Sequence, residues 1–407
     1  MRGRETRVID METKYPGKQS PFASDRSDDD RRLRVLIVGP SLDIRGGQAV
    51  QAARLLEGLS KDPELEVSFL PVNPRLPGPL RLLQAVKYLR TIVTSIAYVA
   101  TLFTRVRKYN LIHIFSASYI SFLLAPTPAI LIARLFGKKI VLNYRSGEAE
   151  DHLLNWRTAI PIIRLADMIV VPSGYLVSVF ARFGLKARSI FNLVDLDCFR
   201  YRERRPIRPV FLTSRLLEPL YNVPCVLRAF AIIQQSYPEA TLTVAGDGWL
   251  RPRLERLACE LNLRNTKFLG FVPLSEMPDL YDSADIYLSG TNIDNMPASI
   301  TESMAAGLNV VTTDGGGAIP FIMTNEESGL IVPRDDSTAM AAAAIRLIEN
   351  PELAAALARN AREASRGYTW QAVQREWLQV YRELSYTTDS TEQARAAGGE
   401  PLASEMD

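Results

Sequence analysis

From residue 33 to residue 385, short apolar runs alternate with amphipathic stretches. In the first half the runs are Leu33–Val38, Val67–Leu70, Leu111–Phe115, Lys139–Asn143, Met168–Val171 and Arg188–Phe191. In the second half they are Pro209–Thr213, Thr241–Ala245, Lys267–Leu269, Ile286–Leu288, Asn309–Thr312 and Gly329–Val332. Each has the length of a strand. The segments between them, among them Gln48–Leu59, Val223–Gln235, Trp249–Leu261 and Ser337–Ile348, place apolar residues at helical spacing. Regular alternation of β and α predicts parallel, doubly wound sheets whose ligands sit at the carboxyl ends of the strands. The stretch Arg200–Arg208 is polar, contains Pro206 and interrupts the alternation, so it reads as a linker. The predicted organisation is therefore one α/β domain over 33–200, a second over 201–370 and a crossover helix over 371–385. That last helix carries Trp370, Val373, Trp377, Val380 and Leu384 on one face. Residues 1–32 and 386–407 are polar, charged and without periodicity, and are expected to be disordered tails.

A length of 407 residues agrees with two domains of roughly 100–200 residues each. The formal net charge of +3 hides an asymmetry. Residues 33–200 hold 21 Lys and Arg against 11 Asp and Glu, whereas residues 201–385 hold 18 against 22. A basic first half points to an anionic partner, a phosphate or a membrane surface. Cys198, Cys225 and Cys259 are scattered, with neither zinc spacing nor a disulfide framework, which fits a reducing cytoplasm. His113 and His152 are the only histidines, too few for a multi-histidine metal site. No uninterrupted apolar run reaches the ~18–20 residues of a membrane span. The nearest candidates, Thr91–Phe103 and Tyr119–Phe136 with its Pro126 and Pro128, are expected to pack on the first domain.

Three segments carry candidate chemistry. Gly39–Gln48 joins a strand to a helix and brings Gly46 and Gly47 to the helix start, where free backbone N–H groups suit an anion. It lacks the GxGxxG spacing, so no dinucleotide fingerprint is present, and a plain βα turn is the competing reading. Gly246-Asp247-Gly248 is a second such turn. The third segment runs from Asp294 through Asn295, Met296, Pro297, Ala298, Ser299, Ile300 and Thr301 to Glu302, and on to Gly307. Its two carboxylates stand eight positions apart. Pro297 suits the first turn of a helix, which would place Asp294 on the loop above and Glu302 about two turns below. One acid can meet a sugar hydroxyl and the other a ribose, with a pyrophosphate at the N–H groups between them. The competing reading is a capping Asp and a solvent-facing Glu.

These residues resemble glycosyltransferase family 4, retaining enzymes of the GT-B fold, whose signature is two acidic residues separated by seven with Pro inside. Ser214-Arg215-Leu216, Phe268–Pro273, Tyr281–Ile286, Ser328–Pro333, Gly46-Gly47 and Asn192–Asp195 resemble other family segments, and the likeness spans nearly all of 33–385. The resemblance implies two Rossmann-like domains facing a cleft, with the crossover helix returning to the first. It implies that Glu302 holds the ribose, Asp294 the transferred sugar and Arg215 the diphosphate. The backbone from Asn295 through Met296, Pro297, Ala298 and Ser299 to Ile300 would hold phosphate and sugar oxygens. Gly246 and Val272 would lie beside the nucleotide, and Gly46 and Gly47 would face the diphosphate. The first acid is Asp294 instead of Glu. The family's phosphate-binding Lys is missing, with Asn222 nearby as an uncharged donor. Arg145, in Asn143-Tyr-Arg-Ser-Gly147, stands where the family carries its active-site His, so the site is either impaired or compensated by that Arg. Gly317-Ala318-Ile319-Pro320 replaces Gly-Gly-Ile-Pro.

The implied activity is retaining transfer of a sugar from a UDP- or GDP-sugar to a glycan, lipid-linked or small-molecule acceptor, without metal or other cofactor. Front-face attack is the expected route; a covalent route through Asp294 is the alternative. Asp195-Leu-Asp197, near the linker, reads as structural rather than as a metal site. Two other functions remain open: a nucleotide-sugar binder that has lost turnover, and a GT-B epimerase, which would isomerise its donor without an acceptor. A phosphorylase would need a Lys bearing pyridoxal phosphate, which no motif marks. The stretch Leu80–Tyr109 mixes apolar residues with Arg81, Lys87, Arg90, Arg105, Arg107 and Lys108. It is either a membrane-facing surface or an ordinary helical cover. Nucleic acid is not an expected partner. The expected location is cytoplasmic, either free or peripheral on the inner face of the membrane.

Overall fold

A computed structural model describes residues 32–396, except 43–45, 77, 79–83 and 85. Most of the expected tails, together with Leu80, Arg81 and the middle of the Gly39–Gln48 turn, thus lie outside the described residues.

The chain builds two parallel six-stranded sheets. The first contains β1 (Leu33–Gly39), β2 (Leu65–Pro71), β3 (Leu111–Ser116), β4 (Lys139–Tyr144), β5 (Met168–Val171) and β6 (Arg188–Ser189) in the order β2-β1-β3-β4-β5-β6. The second contains β7 (Val210–Ser214), β8 (Thr241–Ala245), β9 (Thr266–Gly270), β10 (Ile286–Ser289), β11 (Asn309–Thr313) and β12 (Leu330–Val332) in the order β12-β11-β10-β7-β8-β9. The strand order reverses between β1 and β3 in one sheet and between β7 and β10 in the other, and such switch points open a crevice at the carboxyl ends. The segments after β1, β4, β7 and β10 are those that carry Gly46, Arg145, Arg215 and Asp294.

Period-two alternation divides the first sheet between two cores. Leu36, Val38, Ile112, Ile114 and Leu142 face a layer containing Tyr98, Leu102, Ile130 and Phe180. Val35, Ile37, Leu111, Phe115 and Val141 face the helix Gly47–Leu59 and the last helix, through Val373, Trp377, Val380 and Tyr381. The last helix therefore returns to the first domain. Gly58 permits the approach, since a Cβ there would come within 2.5 Å of the Trp370 ring. The helix runs Trp370–Ala396, past residue 385 where the tail was expected to begin.

The linker is not a loose tether. Arg204 is buried and donates to the carbonyls of Tyr281, Ala284 and Ala306, at 3.1, 2.8 and 2.8 Å. Asp285, fully buried, accepts from Arg202 at 2.9 Å and Arg208 at 2.7 Å. Burial raises its carboxyl, and the bonds from Arg208 and Arg202 more than offset that, leaving it below the usual range. A run of arginines that reads as a polar linker serves instead to satisfy carbonyls at element ends.

The helix Lys87–Arg105 buries Tyr98 and Leu102 but leaves Leu89, Ile92, Ile96, Val99 and Phe103 exposed on a second apolar stripe. The segment Leu89–Lys108 is long and apolar enough to cross a membrane by length and composition alone. Phe103 meets Phe136 edge-on at 5.0 Å, which continues the stripe toward exposed Leu131 and Leu135. Both apolar segments do pack on the first domain, but each by one face.

Candidate active site

The switch point of the second sheet gathers the acidic segment. Pro297 is the N-cap of the helix Ala298–Ala306, with an extended backbone at φ −64° and ψ 120°, and no side chain caps the helix start. Glu302 lies just over one turn into the helix, not two: the helix begins within one residue of Pro297, as expected, and five positions are well short of two turns. Met296, before it, takes the left-handed conformation at φ 58°. Glu302 is 6% exposed, so it is not solvent-facing. Its Oε1 pairs with Arg54 Nη2 at 3.1 Å and its Oε2 accepts from the Tyr281 hydroxyl at 3.2 Å. Burial raises the Glu302 carboxyl, and the charge and hydrogen bond of Arg54 oppose that rise.

Arg215 leaves β7 toward the same place. Its Nη2 is paired with Asp294 Oδ2, its Nη1 donates to Ser299 Oγ at 2.8 Å, and its guanidinium lies 4.3 Å from the centre of the Tyr221 ring. Its Nε is buried and, among the described residues, without a partner. Asp294 Oδ1 accepts from the Asn295 N–H at 2.8 Å. Arg215, Asp294, Ser299 and Glu302 are therefore brought to one end of one sheet. Asn222 is placed differently. It sits in the left-handed conformation at φ 43° and donates to Asn292 at 3.2 Å and Asp335 at 2.5 Å, so its amide is held by its neighbours. Gly246, at φ 126°, makes room for protein: a Cβ there would lie 1.9 Å from the Arg215 carbonyl oxygen. Val272 is half-buried beyond β9.

The first domain closes against this wall, both sheets belonging to one compact unit. Ser173 Oγ donates to Asn295 Oδ1 at 2.8 Å, and Asn192 Nδ2 donates to the Met296 carbonyl at 2.8 Å. Gly147 approaches the same loop, a Cβ there falling 3.8 Å from Asn295. Gly46 and Gly47 open the helix Gly47–Leu59, and among the described residues nothing lies within 4 Å of a Cβ added at either. Arg145 follows β4, its guanidinium 5.4 Å from the Phe115 ring centre, and Nη1 donates to Asn143 Oδ1 at 3.1 Å. Its Nη2 is buried and unpartnered, and among the described residues no carboxylate pairs with it. Burial pushes this guanidinium down to about 9, which leaves it charged at neutral pH. A desolvated cation without a counter-ion is costly, and an anion beside it would offset that cost.

Arg54 is the main residue that sequence reasoning missed. It sits three positions after buried Gln51, and both side chains donate to the Leu193 carbonyl, at 2.7 and 2.8 Å. Two polar residues at i and i+3 on an otherwise apolar helix face were the available signal. Asp195 caps its own turn, accepting from the Asp197 N–H at 3.1 Å. Among the described residues no group of three or more His, Cys, Asp or Glu is placed to hold a metal.

Residues 200–364 match the family described as "Glycosyl transferases group 1". This part of the chain is similar to the group 1 glycosyl transferases. It contains Arg215, Asn222, Asp294 and Glu302, the whole second wall of the cleft. Among curated relatives, the D-inositol 3-phosphate glycosyltransferase of Saccharomonospora viridis is 29% identical over 245 residues, covering 54% of this chain and 57% of the relative. The phosphatidyl-myo-inositol mannosyltransferase of Mycolicibacterium smegmatis is 28% identical over 247 residues, covering 59% of this chain and 58% of the relative. The chain thus spans little more than half the length of these relatives. Among solved structures, Anabaena HepE in complex with UDP superposes with a TM-score of 0.66 at 17% identity, over 86% of this chain and 100% of that one. Sucrose-phosphate synthase from Thermosynechococcus elongatus gives 0.67 at 19%, over 88% and 100%. These likenesses carry the fold: the two six-stranded sheets form a two-domain GT-B arrangement.

Proposed function

We propose that the chain is a retaining glycosyltransferase of family 4 type that moves a sugar from a nucleoside-diphosphate sugar to a lipid-linked acceptor, without a metal. The observation that carries this reading is the Arg215–Asp294–Ser299 cluster beside the buried Glu302, with Gly147, two residues after the uncommitted Arg145, approaching Asn295 of the same loop. Glu302 would take ribose hydroxyls in charge-assisted hydrogen bonds. Arg215, Arg145 and the uncapped helix start at Ala298 would face the diphosphate, where breaking the anomeric C–O bond leaves negative charge. The leaving phosphate oxygen would accept the acceptor's proton as the acceptor attacks from the same face. Asp294 suits a contact to the sugar more than covalent attack, because Arg215 and the Asn295 N–H already occupy its two oxygens.

A lipid surface is favoured by the exposed apolar stripe from Leu89 to Phe103, which is flanked by Arg90, Arg107 and Lys108. Such a stripe beside basic residues suits an anionic bilayer. Relatives with inositol-type names point to a related acceptor class. The site of action would be the cytoplasmic face of a membrane. The test is a panel of UDP- and GDP-sugars with the full chain, vesicles containing phosphatidylinositol and a free inositol phosphate, with product anomers read by NMR. Transfer with a retained anomer supports the proposal. Nucleotide binding without turnover would replace it with a binder, and an isomerised donor in the absence of acceptor with an epimerase.

A further inference from the structure

Arg145 is the end of a buried polar chain that reaches the crossover helix. Asn143 and His113 occupy adjacent strands on the sheet face covered by Trp377 and Tyr381, where the alternation otherwise places Leu111, Phe115 and Val141. Arg145 Nη1 donates to Asn143 Oδ1 at 3.1 Å. Asn143 Nδ2 lies 3.0 Å from His113 Nε2, and His113 Nδ1 lies 2.7 Å from the Tyr381 hydroxyl. All three inner residues are essentially buried, Tyr381 being 1% exposed.

The direction of every bond follows from the first. A guanidinium only donates, so Asn143 must turn its oxygen to Arg145 and its NH₂ to the histidine. His113 Nε2 is then an acceptor and carries no proton. Its single ring proton sits on Nδ1 and is donated to the Tyr381 oxygen. The ring is neutral: burial and the neighbouring Arg145 charge push it down to about 3. We propose that Tyr381, His113 and Asn143 are positioning residues for Arg145, through which the crossover helix holds the guanidinium in the cleft. This rests on the reading of Arg145 as the first-domain cation for the donor diphosphate.

Removing the Tyr381 hydroxyl removes the acceptor for Nδ1–H. The ring would then shift its proton to Nε2, Asn143 would turn its oxygen to the ring, and its NH₂ would face Arg145, donor against donor. Tyr381→Phe keeps the apolar packing and changes only this bond. Transfer should fall roughly three- to ten-fold, as for a misplaced binding group, while UDP or GDP affinity stays within about two-fold. On an Arg145→Ala background the same substitution should cost nothing further, because the group it positions is gone. The chain's two histidines allow a direct check. In ¹⁵N-histidine spectra His113 should show the Nδ1–H tautomer in the parent chain and lose it in Tyr381→Phe. If Arg145→Ala slows transfer while Tyr381→Phe does not, or if Tyr381→Phe slows both backgrounds equally, the positioning role is wrong. If Arg145→Ala itself transfers at the parent rate, the reading of Arg145 falls, while the spectra still decide the bond order.

Discussion

The two walls of the cleft hold positive charge in opposite states. On the second-domain wall Arg215 is committed, paired with Asp294 and bonded to Ser299. On the first-domain wall Arg145 has one neutral partner, Asn143, and among the described residues no carboxylate, although each of the two guanidinium groups keeps one buried nitrogen without a partner. A diphosphate arriving at Arg215 must share it with a carboxylate. One arriving at Arg145 completes an unsatisfied group, and an unpaired buried cation gains most from an anion. On the proposed reading, the difference would leave a cleft without the phosphate-binding Lys a second cation for the leaving group. It also explains why Asn222 does not fill that place, since Asp335 and Asn292 already hold its amide.

The comparison can be broken most sharply at Glu302, the buried anion of the second wall. Glu302→Gln should weaken nucleotide binding by roughly 1.5–3 kcal/mol, the range for losing charged hydrogen bonds. Calorimetry with UDP and GDP checks this, and unchanged affinity for both removes Glu302 from the ribose site. Next in size is the first wall. Arg145→Ala should lower transfer about ten-fold or more and nucleotide binding less, because its charge is used chiefly as the C–O bond breaks. An equal loss in both would make Arg145 an ordinary binding group.

Arg54 links the walls and gives a pH signature. Glu302 grips best when ionised, and burial raises its carboxyl while Arg54 holds it down, with Tyr281 the other group facing it. Nucleotide affinity should therefore fall as pH drops through the Glu302 titration. In Arg54→Gln that fall should begin at higher pH, because the counter-charge is gone. Identical pH profiles in parent and variant would contradict this. The smallest expected effect is none: with arginines and a helix start as the charge-bearing parts, transfer should survive EDTA. Loss restored by Mn²⁺ would mean that the diphosphate is held by other groups.

Much of this was legible in the chain. All twelve strands fall within a few residues of their apolar runs, because period-two and helical patterns are local. The helix start of the acidic segment was legible to within one residue, because Pro297 marks it, but the left-handed Met296 just before it was not, since no residue preference announces that conformation. Arg54 was hidden for another reason. Its partner lies 248 positions away on the other domain, and spacing says nothing about how two domains meet. The linker arginines read only as a polar linker because their acceptors, carbonyls at the ends of distant elements, leave no mark in the sequence. The dual face of Lys87–Arg105 was half visible: its basic and apolar mixture was plain, but which apolar residues turn outward was settled only by packing.

The central claim is that this cleft binds a nucleoside diphosphate through Glu302 and cations of both walls. Thermal melts of the full chain with UDP, GDP and ADP in EDTA address it most directly, since a ligand that binds only the folded state raises the melting temperature. The account predicts that UDP or GDP raises it, that Glu302→Gln abolishes the rise and that Arg145→Ala only reduces it. No rise with any nucleotide in the parent chain, or an equal rise in the parent and in Glu302→Gln, would contradict it.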